Sequence, residues 1–189
     1  MTERDPILKA MYDVGLAAWF GGSLMGVVGL NGAAAEIRDP RERLRISSIG
    51  WDRWTPVNAA AIGAHLIGGA GMRMSERRPE DDEEGPPLKN LKTCLTLGAL
   101  AATGYSRWLG MRMEQARETP VEGVTEPARE TPEEVRAAQR RQRIAQWLVP
   151  ALTGTLVVVS AIASELEKPR GGVVRGVGAR AARALVPFG

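Results

Sequence analysis

The only histidine of the sequence is the side chain best suited to chemistry. His65 lies seven positions after Asn58, inside a stretch without Asp, Glu, Lys or Arg. Seven residues span about two helical turns, so the imidazole and the amide are predicted on nearly the same face of one helix. Such a pair can hold helices together by hydrogen bonds, or it can carry protons or solutes along a polar path. No second histidine accompanies it, so the pattern predicts no metal or haem site.

Two further polar residues occur near the ends of apolar stretches. Asn31 lies near the end of the first stretch, and Arg107 lies near the end of the third. Together with Asn58 and His65 they are the candidate intramembrane polar residues. They predict either a hydrogen-bonded layer between helices, in which Gln146 takes part, or the lining of a path through a small transporter or channel component.

The motifs of common enzymes are absent from the sequence. It contains no nucleophile elbow, no phosphate-binding loop and no pair of carboxylates within an apolar stretch. The lone Cys94 excludes an intramolecular disulfide and multi-cysteine zinc sites, and the acidic run at residues 80–84 lacks the spacing of a calcium loop. The arginine-rich segments are not interleaved with aromatic residues, which argues against a nucleic-acid partner. We therefore expect no catalysis, no cofactor and no metal.

The elements that must position these residues are four long stretches almost without charge. They cover residues 14–35, 54–72, 93–110 and 144–164. A helix of about 20 residues crosses the ~30 Å hydrocarbon core of a bilayer. The third stretch is the weakest, because Arg107 interrupts it and must reach back to the headgroups. We predict an all-α integral membrane bundle of about four transmembrane helices. The alternatives are a soluble four-helix bundle with an Ala/Gly-rich core and a cleaved secretion signal at the first stretch.

The charged residues are concentrated outside these stretches. We predict a polar lead at residues 1–13, a polar linker at 111–143, and a basic, flexible tail at 165–189. The acidic run belongs to a solvated loop between the second and third stretches. The linker contains ARETP twice, which we interpret as two turn signals. The second copy runs into Thr131, Pro132 and Glu133, which predicts the start of the last helix.

Small residues recur at helical spacing in the first and third stretches. Gly22 and Gly26 are four positions apart, and so are Gly98 and Ala102. Small side chains four apart let two helices approach closely enough for van der Waals contact to hold them in a membrane. We predict these residues as packing faces, within the chain, in a homo-oligomer or against another membrane protein.

Four of the five tryptophans lie at the ends of predicted spans. Trp51 and Trp54 adjoin the start of the second span, Trp108 ends the third, and Trp147 begins the fourth. Four crossings place all of them at one membrane face, as an interfacial belt requires. Both termini then lie on the other side. Basic residues divide almost evenly between the two sides, so the orientation stays undetermined.

Three strings of the sequence resemble a family of small, uncharacterised bacterial multi-pass membrane proteins. They are WFGGSLMGVVGLNGAAA from Trp19, RWTPVNAAAIGAHLIGG from Arg53, and ETPEEVRAAQRRQRIAQWLVPALTG from Glu130. The resemblance implies a four-span protein of the bacterial inner membrane, and it brings no activity, cofactor or catalytic residue with it. We therefore predict a non-catalytic membrane protein whose partners are the lipid bilayer and other helices, as a homo-oligomer or as an accessory or scaffold subunit. The alternative is the transporter or channel component.

Overall fold

The structure is a computed structural model, and it describes residues 5–75, 86–116 and 118–166. These residues form four helices and one isolated β-bridge, between Val121 and Pro127. The helices are α1 (Pro6–Ala35), α2 (Glu42–Ser75), α3 (Pro86–Glu114) and α4 (Glu133–Leu166). The predicted all-α architecture is confirmed, and each predicted span lies inside one helix.

Helix α1 begins earlier than the sequence suggested. Residues 1–13 were predicted as a polar lead, yet the helix already starts at Pro6. The Asp5 carboxylate accepts a hydrogen bond from the Ile7 N–H at 2.9 Å, and Pro6 occupies the first turn, where its missing N–H costs nothing. The part of the lead that the structure describes is therefore a capped helix start.

Two of the four helices are long and apolar enough to cross a membrane, by length and composition alone. They are α1 and α4; α2 and α3 do not reach the same hydropathy. The charged residues Asp52 and Arg53 adjoin the second predicted span, and its many Gly and Ala residues add little hydropathy. Lys92 precedes the third span, and Arg107 lies within it. The count of four predicted spans is thus supported for two helices only.

The helices pair unevenly. Helix α1 packs extensively on α2, α3 packs extensively on α4, and α1 also packs on α4. By contrast, α2 and α3 touch at few places. We call the gap between α2 and α3 the seam. The centre of the bundle is an apolar cluster of Trp19, Ala99, Ala102 and Val149, which we call the Trp19 cluster.

Glycines bring α1 and α2 into backbone contact. A Cβ added at Gly15 would lie 2.5 Å from the Ala61 carbonyl oxygen, and one added at Gly68 would lie 2.5 Å from the Leu8 carbonyl oxygen. Real Cβ atoms do not approach this closely, so neither position accepts a side chain without a shift of the backbone. This interface depends on the glycines at these two positions.

The four predicted packing residues are all used inside this chain. The indole rings of Trp54 and Trp51 cover Gly22 and Gly26, respectively. On α3, a Cβ at Gly98 would meet Leu152 of α4 at 3.5 Å, and Ala102 belongs to the Trp19 cluster. The small residues therefore serve intramolecular packing, and they are not available as faces for self-association.

A π-helical segment interrupts α1 at Gly26–Leu30. In a regular helix at about 100° per residue, Asn31 would point about 140° away from Gly26. Instead the Asn31 N–H bonds to the Gly26 carbonyl, five residues back, which brings Asn31 towards the face that Gly26 turns to α2. The extra residue in this turn aims the Asn31 side chain into the bundle.

The predicted polar linker is a folded cap rather than an open connection. Val121 and Val124 are buried against Ala34 and Leu44 at the end of the α1–α2 hairpin. The Arg43 guanidinium donates to the carbonyls of Ile37, Val121 and Glu122. These bonds satisfy backbone groups that no helix or sheet serves.

The two ARETP copies have different surroundings. In the second copy, the Thr131 hydroxyl accepts from the Ala128 N–H and donates to the Pro120 carbonyl, both at 2.9 Å, which closes the cap. Helix α4 then begins at Glu133, which confirms the predicted start. The first copy includes residue 117, which lies outside the described residues, as do the acidic run at 80–84 and the tail from residue 167.

Candidate functional site: two cavities along the seam

Two cavities lie along the seam, one towards each end of the bundle. The first has a volume of about 400 Å³ and is lined by four basic side chains, Lys9, Arg73, Lys89 and Lys92; we call it the cationic cavity. The second has a volume of about 320 Å³ and is lined by Asn31, Asn58, Gln142 and Gln146 among apolar residues; we call it the amide cavity. Both volumes are in the size class of small-molecule sites.

The Trp19 cluster lies between the two cavities. Leu100, which packs on this cluster, lines the cationic cavity, whereas Ile62 and Val149 line the amide cavity. The Trp19 indole N–H donates to the Thr103 hydroxyl at 3.1 Å, which fixes the ring against α3. An apolar barrier therefore separates the polar linings.

Asn31 is the centre of a hydrogen-bond network at the amide cavity. Its Nδ2 donates to Gln146 Oε1 at 2.9 Å, and its Oδ1 accepts from the Ser47 hydroxyl at 2.9 Å and the Trp51 indole at 3.0 Å. These bonds connect α1 with α2 and α4. The predicted polar layer is confirmed for Asn31 and Gln146.

Asn58 and Arg107 line the same cavity but stand outside this network. The Asn58 Oδ1 atom is buried without a hydrogen-bond partner. Arg107 forms an ion pair with Asp52 at 3.0 Å, which joins α2 to α3 across the seam. Both members of the pair are more than a third exposed, so the pair contributes little to stability.

His65 belongs to the other end of the seam. Its side chain is 1% exposed, and its ring lies 4.2 Å from the Tyr12 ring, centroid to centroid. Nδ1 is 3.1 Å from the Tyr12 carbonyl oxygen, which can only accept, so Nδ1 carries the hydrogen. The imidazole is thus an α1–α2 contact in the wall of the cationic cavity. Although Asn58 and His65 share a helix face, they line different cavities.

The four tryptophans of the predicted belt divide into two pairs. Trp51 and Trp54 point into the bundle, over Gly26 and Gly22, which differs from the prediction. Trp108 and Trp147 are 39% and 49% exposed on the outside. The glycines explain the difference, because a side chain at Gly22 or Gly26 would collide with the ring that now covers it.

One ion pair and two hydroxyl contacts connect side chains around the cationic cavity. Lys9 pairs with Asp13 at 3.0 Å, and Arg73 donates to the Thr93 hydroxyl at 2.6 Å across the seam. The Tyr12 and Ser160 hydroxyls are 3.3 Å apart, which connects α1 with α4. Among the described residues of its lining, Asp13 is the one carboxylate beside four basic side chains.

Sequence reasoning missed Gln142 and the inward position of Trp54. A usable signal existed: Gln139, Gln142 and Gln146 recur at intervals of three and four, which places them on one helix face. All three are buried, on the face of α4 opposite the exposed Ile144 and Leu148. A glutamine stripe flanked by arginines indicates an inward polar face.

Cys94 and the acidic residues offer no metal-binding arrangement within residues 5–75, 86–116 and 118–166. No three His, Cys, Asp or Glu side chains come together there, and Cys94 is an exposed free thiol.

Comparisons of the chain with protein-family models, with curated proteins and with solved structures find no match.

Proposed function

We propose that this chain is a non-catalytic integral membrane protein of the bacterial inner membrane, which acts as a homo-oligomer or as an accessory or scaffold subunit. The observation that carries the proposal is the exposure of apolar side chains on the two most apolar helices. Only a third of the most apolar window of α1, and a third of that of α4, is buried. The core helix of a water-soluble bundle is mostly covered, and soluble monomers rarely expose large apolar patches.

The exposed side chains are large and lie on the outer faces of both helices. They include Val14, Met25 and Val28 on α1, and Ile144, Leu148, Val158 and Ile162 on α4. In water such a surface would drive association, whereas lipid tails solvate it. These outer faces, rather than the glycine faces, are the surfaces that remain for other membrane helices.

Helices α2 and α3 accompany the two apolar helices across the bilayer in this proposal. Each packs along a membrane-length neighbour, and at 34 and 29 residues they span about 50 and 43 Å. Polar side chains within their spans, including Asn58, Thr103 and Arg107, line the amide cavity, as polar residues in membranes line protein interiors. With four crossings, both termini lie on the same side.

Membrane fractionation tests the proposal. Alkaline carbonate releases peripheral proteins and leaves integral ones in the pellet, so we expect the full chain in the pellet until detergent is added. A chain recovered in the carbonate supernatant, monomeric and folded, would contradict the membrane location and support the soluble four-helix bundle.

A small transporter or channel component is the second candidate, and one observation favours it. The predicted polar residues line cavities on the same seam, with Asn31, Asn58 and Arg107 at one end and His65 at the other. Such an arrangement resembles two vestibules closed by an apolar barrier. Replacing Ile62 and Leu100 by Ala removes side-chain volume from the barrier and opens a passage between the cavities. This candidate predicts that the variant increases solute or proton flux in proteoliposomes. The accessory role predicts background flux for the parent protein and for the variant.

A further inference from the structure

Two arginines of the α3–α4 pair have no carboxylate partner among the residues that the structure describes. They are Arg112, near the end of α3, and Arg141, in the first half of α4, and both side chains are exposed. By contrast, Arg107 and Arg140 on the same two helices form ion pairs with carboxylates. Within the described part of the chain, these two guanidiniums are therefore available to an anion from outside.

Helix α4 places Arg141 beside α3. Leu152 of α4 contacts α3, because its Cδ1 lies 3.5 Å from the Cβ position of Gly98. Arg141 precedes Leu152 by eleven residues, which is close to three full turns, so both residues lie on the same edge of α4. The Gln142 Nε2 donates to the Ser106 hydroxyl at 2.8 Å, which fixes the height at which Arg141 meets α3.

Helix α3 presents aromatic and basic side chains at that height. Tyr105 and Arg112 follow Gly98 by seven and fourteen residues, so the three positions lie within about 40° of one another, on the edge towards α4. The Tyr105 and Trp108 rings are stacked with their centroids 5.8 Å apart, and the Arg112 guanidinium carbon lies 4.3 Å from the Trp108 ring centroid. This cation–π contact turns Arg112 back by about one helical turn, towards the height of Arg141.

The two guanidiniums thus approach the same height on neighbouring helices. Trp108, which holds Arg112, lies two residues beyond Ser106, or about 3 Å along the helix axis. Arg141 directly precedes Gln142, the partner of Ser106. The axes of packed helices lie about 8–10 Å apart, a gap that two long side chains can close onto one anion.

The carboxylates of α3 and α4 are engaged or lie elsewhere. The two helices contain four of them. Glu114 lines the amide cavity, Glu133 is held in an ion pair at 2.7 Å, and Glu165 lies at the opposite end of α4. Glu134 shares an edge of α4 with Arg141, but it lies seven residues, or about 10 Å, further towards the cap and forms no ion pair with a described residue.

The surroundings of the two arginines favour an anion that is also amphiphilic. A guanidinium offers paired N–H donors that match two oxygens of one phosphate. On the span side of the arginines the surface is apolar, with Leu148 46% exposed on α4 and Ala101 exposed on α3. The exposed rings of Tyr105 and Trp108 lie between the two zones, where aromatic side chains occur at a membrane interface. A phospholipid matches all three zones, whereas a soluble anion uses only the arginines.

We propose that Tyr105, Trp108, Arg112, Arg141 and Leu148 form a binding site for one anionic phospholipid, with its phosphate between the two guanidiniums and its acyl chains along α3 and α4. We call these five residues the lipid face. The inference rests on the proposed membrane location. The headgroup carries a net negative charge, because the ammonium group of a zwitterionic lipid would lie beside two arginines and be repelled by them.

Lipid binding to the purified full chain in detergent, measured by native mass spectrometry, tests the proposal. Dioleoylphosphatidylglycerol and dioleoylphosphatidylethanolamine share their chains and phosphate and differ in headgroup charge, and glycerol phosphate lacks the chains. We expect saturable binding of one phosphatidylglycerol per chain, at least fivefold tighter than that of phosphatidylethanolamine, and no saturable binding of glycerol phosphate in the same concentration range. Equal binding of the two lipids, or no saturable binding of either, would overturn the proposal. Glycerol phosphate that binds as tightly as the lipid would replace the lipid by a free phosphate.

Three arginine variants separate the lipid face from general charge effects. Arg112→Gln and Arg141→Gln should each weaken phosphatidylglycerol binding about fivefold, which corresponds to about 1 kcal/mol for an arginine near an anionic lipid. Arg143→Gln is the matched control, because Arg143 is also exposed and without a described carboxylate partner, but it points about 160° away from Arg141 around α4. We expect the parent's affinity in this control.

Two results with these proteins would contradict the site. An equal loss of affinity in all three variants would show that any interfacial arginine attracts the lipid by charge alone. A second copy or another protein that covers Trp108 in the absence of added lipid would show that the lipid face serves a protein contact.

The outcome is separable from the fractionation result. A chain that stays in the carbonate pellet but does not distinguish the two lipids keeps its membrane location and loses this site. A chain that carbonate releases but whose lipid binding depends on Arg112 and Arg141 keeps the site and loses the proposed function.

Discussion

Helix α2 packs closely against α1, whereas it borders two cavities at the seam with α3. Towards α1, Gly15 and Gly68 allow backbone contact, and His65 and Trp51 each make a hydrogen bond to α1. Towards the seam, the same helix borders two cavities, and the Asn58 oxygen, although on the same helix face as His65, has no hydrogen-bond partner. The α1–α2 interface is closely packed, whereas the seam contains open volume. The predictions below test that difference.

The largest effect is expected where the backbones touch. Replacing Gly15 by Leu puts a Cβ 2.5 Å from the Ala61 carbonyl oxygen, which only a shift of α1 away from α2 can relieve. We expect a loss of about 3 kcal/mol in stability, at the upper end for overpacked sites. Thermal unfolding in detergent measures it. Gly21→Leu, at an open position of the same helix, is the control. A similar melting temperature for the two variants would show that the α1–α2 interface is looser than described.

The Asn31 network should rank second. Asn31→Leu leaves the Ser47 hydroxyl, the Trp51 indole and the Gln146 amide without their partner. Each unpaired buried group costs about 1–3 kcal/mol, although relaxation recovers part of this, and we expect a net loss of about 2 kcal/mol. The same unfolding measurement applies. A variant as stable as the parent would mean that the network does not hold α1, α2 and α4 together.

His65→Phe separates a packing role from a proton-carrying role. The phenyl ring keeps the contact with Tyr12 but loses the hydrogen bond to the Tyr12 carbonyl, so we expect about 1 kcal/mol less stability. Proton flux in proteoliposomes should be the same for parent and variant. A parent flux above background that the variant abolishes would support the transporter alternative.

The smallest effect on stability is expected at the seam. Gln142→Leu removes the unpartnered oxygen, although it also removes the donor to Ser106, so the two changes nearly cancel and we expect a difference within about 0.5 kcal/mol. A loss of stability as large as that of Asn31→Leu would show that the seam contributes as much to stability as the packed side of α2.

The sequence predicted that each apolar stretch lies in a helix and that Asn31 and Gln146 belong to one polar layer, because apolar length and the depth of a residue along its helix can be read from the sequence. Asn58 and Arg107, predicted in the same layer, stand outside the observed network. It did not predict the π-helical segment, since a shift of one residue in hydrogen-bond register leaves the composition of Gly26–Leu30 unchanged. It did not predict the cap around Val121 and Val124 either. These valines are surrounded by polar residues in the sequence and are buried only by contacts with the distant Ala34 and Leu44. The inward position of Trp51 and Trp54 depends on glycines of another helix, which no local pattern reveals.

Locating the two ends of α3 relative to the membrane tests the four-span bundle most directly. Helix α3 contains the predicted span that the sequence supports least, and it forms one wall of the seam. Cys94 is exposed near its start, and Gln115 is exposed just after its end. Gln115 follows Cys94 by 21 residues, which corresponds to about 32 Å of helix, close to the thickness of the hydrocarbon core. Labelling intact cells with a membrane-impermeant maleimide compares the native Cys94 with Gln115→Cys in a Cys94→Ser background. A four-span bundle predicts that only one of the two thiols reacts before the membrane is opened. Reaction of both from the same side would contradict the account.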